Sequence, residues 1–209
     1  MKKNLHQIWY SGNIPDIFQK NINSLKNLHP DWNYKLWDET ACRNLIKNYY
    51  NKFINTYDSF EFNIQRIDVA KLFILDYHGG LYSDLDIHFY KNIESLINND
   101  VLLFNDKNDN ITNSIFYNNK SYFFNKICKQ YKFLNIISGE TDKKVNNVLI
   151  KTGPIFLTNF YKINKFNFNI LDKKYFEDIK NTNEYTGQDH IYGIHEYSNT
   201  WFDKDKVVV

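Results

Sequence analysis

Two carboxylates stand two residues apart in "GGLYSDLDI", Gly79 to Ile87, directly after a Gly-Gly break. Read as a strand, the segment puts Tyr82, Asp84, Asp86 and His88 on one face and Leu81, Ser83, Leu85 and Ile87 on the other, because successive side chains alternate. The two aspartates then lie about 7 Å apart on a single surface. Like charges so placed raise each other's pKa and cost stability unless a cation or hydrogen-bond donors answer them. A metal site is the simplest account of the pair. Just upstream, Gln65, Asp68 and Lys71 recur at three-residue spacing among Ile67, Val69, Ala70, Leu72, Phe73, Ile74 and Leu75. On a helix this is a polar stripe on an otherwise buried element, and buried polar groups need partners. The plainer alternative is an Asp68–Lys71 pair at an exposed helix edge, contributing about 0.3–0.5 kcal/mol.

The elements that must carry these residues can be read from periodicity. "EFNIQRIDVAKLFILDYH", 61–78, is a helix that Gly79 and Gly80 stop, and it delivers the chain directly onto the carboxylate strand "LYSDLDI". At the start, "NLHQIWY" reads as a strand ended by the turn residues "SGNIP". Phe18, Ile22, Leu25 and Leu28 then recur at helical spacing, with Pro15 suited to the first turn and "HP" closing the segment. "NYKLWDE" is a second strand, and Thr40 is a candidate cap for a helix running to about Tyr50. Beyond the carboxylates follow a short helix near 93–97, the strand "VLLFND", a polar loop "NDKNDNITN" and a strand "SIFYNN". Helices recur around Tyr122–Ile136 and Asn159–Ile163, with the turn or helix-start signal "KTGP" between them. This alternation, without repeat or linker, predicts an α/β sheet with helices on both faces and one domain over residues 1–209. Ligands of such sheets bind beyond the C-terminal strand ends, where both Trp9 and the aspartates fall.

Composition narrows the function classes. With 209 residues, 43% apolar and 18% aromatic, and only 7 Gly and 3 Pro, the chain can bury a sizeable core and is not disordered. No apolar run approaches the roughly 18 residues of a membrane helix. "MKKNLHQIWY" lacks the apolar stretch of a signal peptide, so a soluble, intracellular protein is expected. Cys42 and Cys128 have no metal-ligand spacing and suit a reducing compartment. The net charge of +2 is spread along the chain, which argues against nucleic acid as a partner. Arg43 and Arg66 are the only arginines, and Asn is heavily used. In so Asn-rich a chain the acceptor patterns "NIT" at Asn110 and "NKS" at Asn119 carry little weight.

"LHQIWYSG", "HPDWNYKLWDE", "RIDVAKLFILDYHGGLYSDLD", "TGP" at Thr152–Pro154 and "HEYSNTW" occur in this order over nearly the whole chain. Together they resemble the DXD-motif glycosyltransferases of family 32, which include yeast mannosyltransferases and bacterial capsular-sugar transferases. The glucosyltransferase domains of large clostridial toxins are more distantly similar. The resemblance implies a GT-A fold, a single Rossmann-like mixed sheet flanked by helices. By position it implies that Trp9 stacks on the nucleotide base and that Asp68, with Gln65, binds the donor sugar. Tyr82, Ser83 and Asp84 also fall on the donor side, and Asp84 and Asp86 hold the ribose and a divalent cation. His195, Ser198, Asn199 and Trp201 resemble the C-terminal loop that completes the metal and diphosphate shell, which makes Asp84, Asp86 and His195 the candidate metal ligands. The candidate catalytic residues are Asp68, Asp84 and Asp86. Lys71 stands where the family usually has Arg, and it supplies a point charge rather than a bidentate fork. Thr152, Gly153, Gln188 and Asp189 are candidates for the acceptor side.

The implied activity is a metal-dependent, retaining transfer of a hexose from a UDP- or GDP-sugar to a glycan or other hydroxyl acceptor. A dication offsets the charge growing on the departing diphosphate, and Mn²⁺ is expected in preference to Mg²⁺ because manganese also accepts imidazole. The alternative is a non-catalytic domain that binds nucleotide-sugar or glycan. A phosphatase of the haloacid dehalogenase type fits poorly, since it would want an apolar strand before the first Asp and Thr or Val after the second. Eukaryotic relatives are often anchored in the Golgi, whereas this chain is expected to be cytoplasmic and of bacterial or viral origin.

Overall fold

The computed structural model describes residues 2–10, 12–97, 101–105, 110–119, 126–127, 129, 144–164, 169–176 and 190–198. Strand β1 (Asn4–Ile8) leads through helix α1 (Asp16–Leu28) to strand β2 (Asn33–Trp37), which pairs with β1 in parallel. Helix α2 (Glu39–Tyr49) and the short α3 (Ile54–Asp58) precede the long α4 (Asn63–His78). The chain returns in β3 (Gly80–Ser83), again parallel to β1. Strand β4 (Ile87–Phe89) leaves this sheet, while β5 (Val101–Asn105) and β6 (Ile111–Asn118) rejoin it. Helices α5 (Lys144–Lys151) and α6 (Pro154–Asn164) are followed by β7 (Asn169–Leu171) and β8 (Gly193–His195). The main sheet has the order β2-β1-β3-β6-β5-β7 and is mixed, with β6 antiparallel to both β3 and β5. β4 and β8 form a separate antiparallel pair.

Strands of the main sheet are covered on both faces, so neighbouring side chains enter different cores. Tyr82 and Phe116 pack with α2, α4 and α6 residues on one face; Leu5, Leu81, Ile115 and Tyr117 pack with Leu25 of α1 on the other. α4 is apolar nearly all round and is the central helix of the first face. Gly79 caps it with φ 66°, its N–H donating to the Leu75 carbonyl at 3.0 Å. Gly80, at φ 102°, starts β3 so close to β1 that a Cβ would overlap the Asn4 carbonyl oxygen. The Gly-Gly pair thus serves two needs, a left-handed helix stop and a close strand approach.

Several expectations need correction. "LYSDLDI" is not one strand: pairing ends at Ser83, Asp84–Asp86 form a turn, and Ile87–Phe89 pair with β8 instead of continuing the sheet. Tyr82, Asp84, Asp86 and His88 therefore do not share one strand face. Asp38, not Thr40, caps α2, its carboxylate accepting from the Ala41 amide at 2.7 Å; Thr40 already lies inside the helix. Pro15 occupies the cap position of α1 rather than its first turn. β6 begins at Ile111, within the segment read as polar loop. α5 was not anticipated, and the helix expected from Asn159 begins at Pro154, immediately after the "KTG" turn. β7 and β8 were not anticipated either. Most of the helix expected over Tyr122–Ile136 lies outside the described residues, with Lys126, Ile127 and Lys129 helical. Cys42 is buried and free; Cys128 is outside the described residues. Among the described residues no helix is long and apolar enough to cross a membrane.

Candidate active site

Three segments converge at the C-terminal ends of β1 and β3: the polar stripe of α4, the turn Asp84–Asp86, and the end of β8. α4 runs antiparallel to β3 behind the Gly-Gly hinge, so its stripe lies against the strand that carries Tyr82 and Asp84. Lys71 is buried to 1% exposure and its ammonium reaches Asp68 at 3.2 Å and Asp84 at 3.4 Å. It also donates to the Asn113 carbonyl at 2.8 Å. The exposed-edge alternative for Asp68 and Lys71 is thereby overturned: both side chains are inside, and the pair is a bridge between helix and turn.

Each of these carboxylates is held by several donors. The Asn113 amide donates to Asp68 Oδ1 at 2.8 Å, and the Thr152 hydroxyl to Oδ2 at 3.0 Å. Asp84 Oδ1 accepts from the Tyr82 hydroxyl at 2.6 Å, and the Asp84 amide donates to the Ser114 carbonyl at 2.8 Å. Burial lifts the Asp68 carboxyl to about 6, against the opposing pull of Lys71. Burial likewise raises Asp84, with Lys71 opposing and Asp86 adding to the rise. For Lys71 burial works against the ammonium, yet Asp84 and Asp68 together outweigh it and the net shift is upward.

Asp86 has a different setting. Its Oδ2 accepts from both the amide and the hydroxyl of Ser198, at 3.1 and 3.0 Å, and its Oδ1 lies 3.4 Å from His195 Nε2. Burial would raise this carboxyl, but His195 and Ser198 prevail and hold it below the ordinary range. The Glu196 amide donates to the Asp86 carbonyl at 2.9 Å, and Ile87 pairs with His195 in the small sheet. The His195 ring stacks on Tyr197 at 3.9 Å between centroids, and Tyr197 takes a positive φ of 48° that turns Ser198 back toward Asp86.

The donors around Asp86 suit a divalent cation. Cis ligands of an octahedral ion lie about 3 Å apart, close to the 3.4 Å between Asp86 Oδ1 and His195 Nε2. The Ser198 hydroxyl adds a third neutral or hard donor beside the same carboxylate. Carboxylate, imidazole and hydroxyl are ligands that manganese accepts, so the residues fit. Asp84 is turned inward to Tyr82 and Lys71, and among the described residues no group of three or more His, Cys, Asp or Glu side chains is arranged to hold a metal ion.

The remaining expected residues are distributed around this centre. Trp9 is half-buried, edge-on to Phe18 at 5.6 Å and packed against the cluster that contains Leu85, the residue between the aspartates. Its Nε1 is buried with no hydrogen-bond partner among the described residues. Gln65 bonds the Phe62 amide and Asn147 rather than the carboxylates. Ser83 is buried, its hydroxyl 3.1 Å from the Asp84 carbonyl. Thr152 binds Asp68 directly, and Gly153 closes the turn between α5 and α6 with its amide on the Val148 carbonyl at 2.9 Å. Gln188, Asp189, Asn199 and Trp201 lie outside the described residues. Sequence reasoning missed Asn113, which holds Asp68 by its side chain and Lys71 by its carbonyl. It also missed Gln7, whose amide reaches the Asp84 carbonyl at 3.4 Å. Both are polar residues on strands, and Asn113 in an Asn-rich chain carries no local signal.

Residues 15–103 match the family described as glycosyltransferase sugar-binding region containing DXD motif. Inositol phosphoceramide mannosyltransferase 3 of Schizosaccharomyces pombe is 30% identical over 156 residues, 75% of this chain and 43% of the yeast protein. The chain spans less than half the length of the curated relatives it matches. Among solved structures, the PaToxG glycosyltransferase aligns with a TM-score of 0.58 at 19% identity, covering 78% of this chain and 69% of that one. The glycosyltransferase domain of the YGT toxin aligns in its ligand-free form at 0.59 and 11% identity, covering 78% and 77%. Its UDP-bound form aligns at 0.52 and 12% identity, covering 82% and 79%. These likenesses bear out the GT-A fold, with its mixed sheet between layers of helices. Residues 15–103, which contain the polar stripe and both aspartates, are thus the part of the chain that is similar to glycosyltransferase sugar-binding regions containing a DXD motif.

Proposed function

We propose that this chain is a metal-dependent, retaining glycosyltransferase that moves a hexose from a nucleotide-sugar to a glycan or other hydroxyl acceptor. The observation that carries the reading is the convergence of Asp86, His195 and Ser198 beside the buried Asp68–Lys71–Asp84 bridge, at strand ends where open α/β sheets bind ligands. The name of the yeast relative makes mannose the first sugar to test, and the UDP-bound form of the YGT domain supports a nucleoside diphosphate as ligand. Asp86 and His195 would hold the cation, which when bound acts as Lewis acid toward the diphosphate. Manganese is favoured over magnesium because an imidazole is in the set.

The chain's own residues supply the rest. A donor-sugar hydroxyl would meet the Asp68 carboxylate by displacing the Asn113 or Thr152 donor that holds it, and Lys71 keeps Asp84 facing inward. Trp9 offers a ring beside the turn for the base. In the proposed step the bond from C1 to the phosphate oxygen breaks and the acceptor oxygen bonds C1 on the same face. The acceptor's proton passes to the departing phosphate oxygen, so no enzyme nucleophile is required. The test is a screen of UDP- and GDP-sugars for manganese-dependent hydrolysis or transfer, with Asp86→Ala as control. Turnover by the unaltered protein that the substitution abolishes is the expected result. Turnover unaffected by Asp86→Ala would refute the site, and tight nucleotide binding without turnover would favour a binding domain instead.

A further inference from the structure

Asn21 lies on α1, outside every motif considered above, and is 1% exposed. Its amide nitrogen donates to the Leu85 carbonyl at 3.0 Å and to Glu196 Oε2 at 3.1 Å, while its oxygen lies 2.9 Å from His88 Nδ1. Leu85 immediately precedes Asp86, and Glu196 immediately follows His195. One buried side chain therefore joins the two segments, more than a hundred residues apart in sequence, that carry the candidate metal ligands. Other links between them, among the described residues, include the β4–β8 strand pairing, the Glu196 amide on the Asp86 carbonyl, and His195 and Ser198 on the Asp86 carboxylate. Among the described residues, Asn21 ties both segments to a helix of the main body through a single amide.

We propose that Asn21 is a positioning residue for the cation site: it sets the Asp86–His195 separation by holding the Leu85 carbonyl on one side and the Glu196 side chain on the other. The inference rests on the proposed metal reading of that pair. An amide is required, because the position needs two donors toward Leu85 and Glu196 and an acceptor toward His88. An aliphatic residue of similar size supplies neither, and a carboxylate would face the Leu85 carbonyl and Glu196 with like polarity. Groups that hold metal ligands indirectly in this way typically change metal affinity about 10–100-fold when replaced.

The test is manganese binding to the whole chain by calorimetry, without nucleotide, alongside circular dichroism and hydrogen exchange at the Glu196 amide. Asn21→Leu is expected to weaken manganese binding by about 10–100-fold and to speed Glu196 exchange in protein that is still folded. Ser24→Ala is the control, since Ser24 ties α1 to β4 through the Phe89 amide at 3.1 Å without touching the turn. It should lower the melting temperature and leave manganese affinity as it was. Asn21→Asp should bind worst, and Asn21→Asp with Glu196→Gln, which exchanges amide and carboxylate, should recover part of the loss. Manganese binding by Asn21→Leu equal to the unaltered protein would overturn the inference alone. So would a loss proportional only to the unfolded fraction. Should Asn21→Leu fail to fold, absence of recovery in the double variant would overturn it. Failure of the unaltered protein to bind manganese would overturn the metal reading and this inference together.

Discussion

Lys71→Met removes the one ammonium that lies between Asp68 and Asp84 while keeping most of the side-chain volume. The two ion-pair contacts, 3.2 and 3.4 Å, are each worth about 5 kcal/mol in gross attraction at an effective dielectric near 20. The substitution also relieves the ammonium's own desolvation, so the net loss is far smaller than their sum. Breaking a buried pair from one side typically costs about 3–5 kcal/mol, and that is the expected destabilisation at neutral pH. The pH dependence has a definite sign. The Asp68 carboxyl is held at about 6 in the fold, above its ordinary value of 3.8, so its contribution is fully present below 3.8 and is lost as pH rises through about 6. Lys71 opposes that upward shift. Without it the folded value climbs further, and the penalty of Lys71→Met must grow between pH 5 and pH 8. Urea unfolding followed by circular dichroism at the two pH values measures both quantities. A loss below about 1 kcal/mol, or one independent of pH, would refute the buried-bridge reasoning.

Thr152→Val keeps the shape but removes the donor to Asp68 Oδ2, so it should cost about 1–3 kcal/mol. The same change should move the Asp68 titration upward, since the hydroxyl stabilises the ionised form; an unshifted carboxyl resonance in an NMR titration would contradict this. Gly80→Ala places a side chain at φ 102° against the Asn4 carbonyl, and should cost at least about 1–3 kcal/mol from the backbone conformation alone. Thermal unfolding indistinguishable from the unaltered protein would mean that β1 and β3 do not approach as described.

How far the sequence spoke depends on how local each feature is. α4 was legible because an apolar run, a three-residue polar spacing and Gly79 all lie within 18 residues. The inference that its stripe needs partners held for the same reason. Strand alternation brought Tyr82 and Asp84 to one side, and they are hydrogen-bonded at 2.6 Å. It failed at Asp86, because β4 takes its partner from Gly193–His195, and nothing between residues 84 and 89 encodes that distant choice. Asp38 and Thr40 are both residue types that cap helices, and choosing Thr40 placed the start of α2 two positions too late. Asn113 and Asn21 gave no signal, since an amide matters here for where its donors point and not for its place in a pattern.

The misread strand is itself informative about why two aspartates are present. Had Asp84 and Asp86 shared a strand face, each would have met the same surroundings, and their mutual repulsion would have been the main term. The turn separates them. Asp84 faces inward to Tyr82 and Lys71, where burial raises its carboxyl. Asp86 faces the end of β8, where His195 and Ser198 lower its carboxyl in spite of burial. Neighbouring acids driven in opposite directions by their surroundings are suited to different tasks. In the proposed mechanism the fixed anion that meets the cation is Asp86. Asp84, locked to the helix through Lys71, links the position of α4 to the turn, so displacement of Asp68 by a sugar would be felt at the proposed cation site through two ion pairs and two peptide bonds.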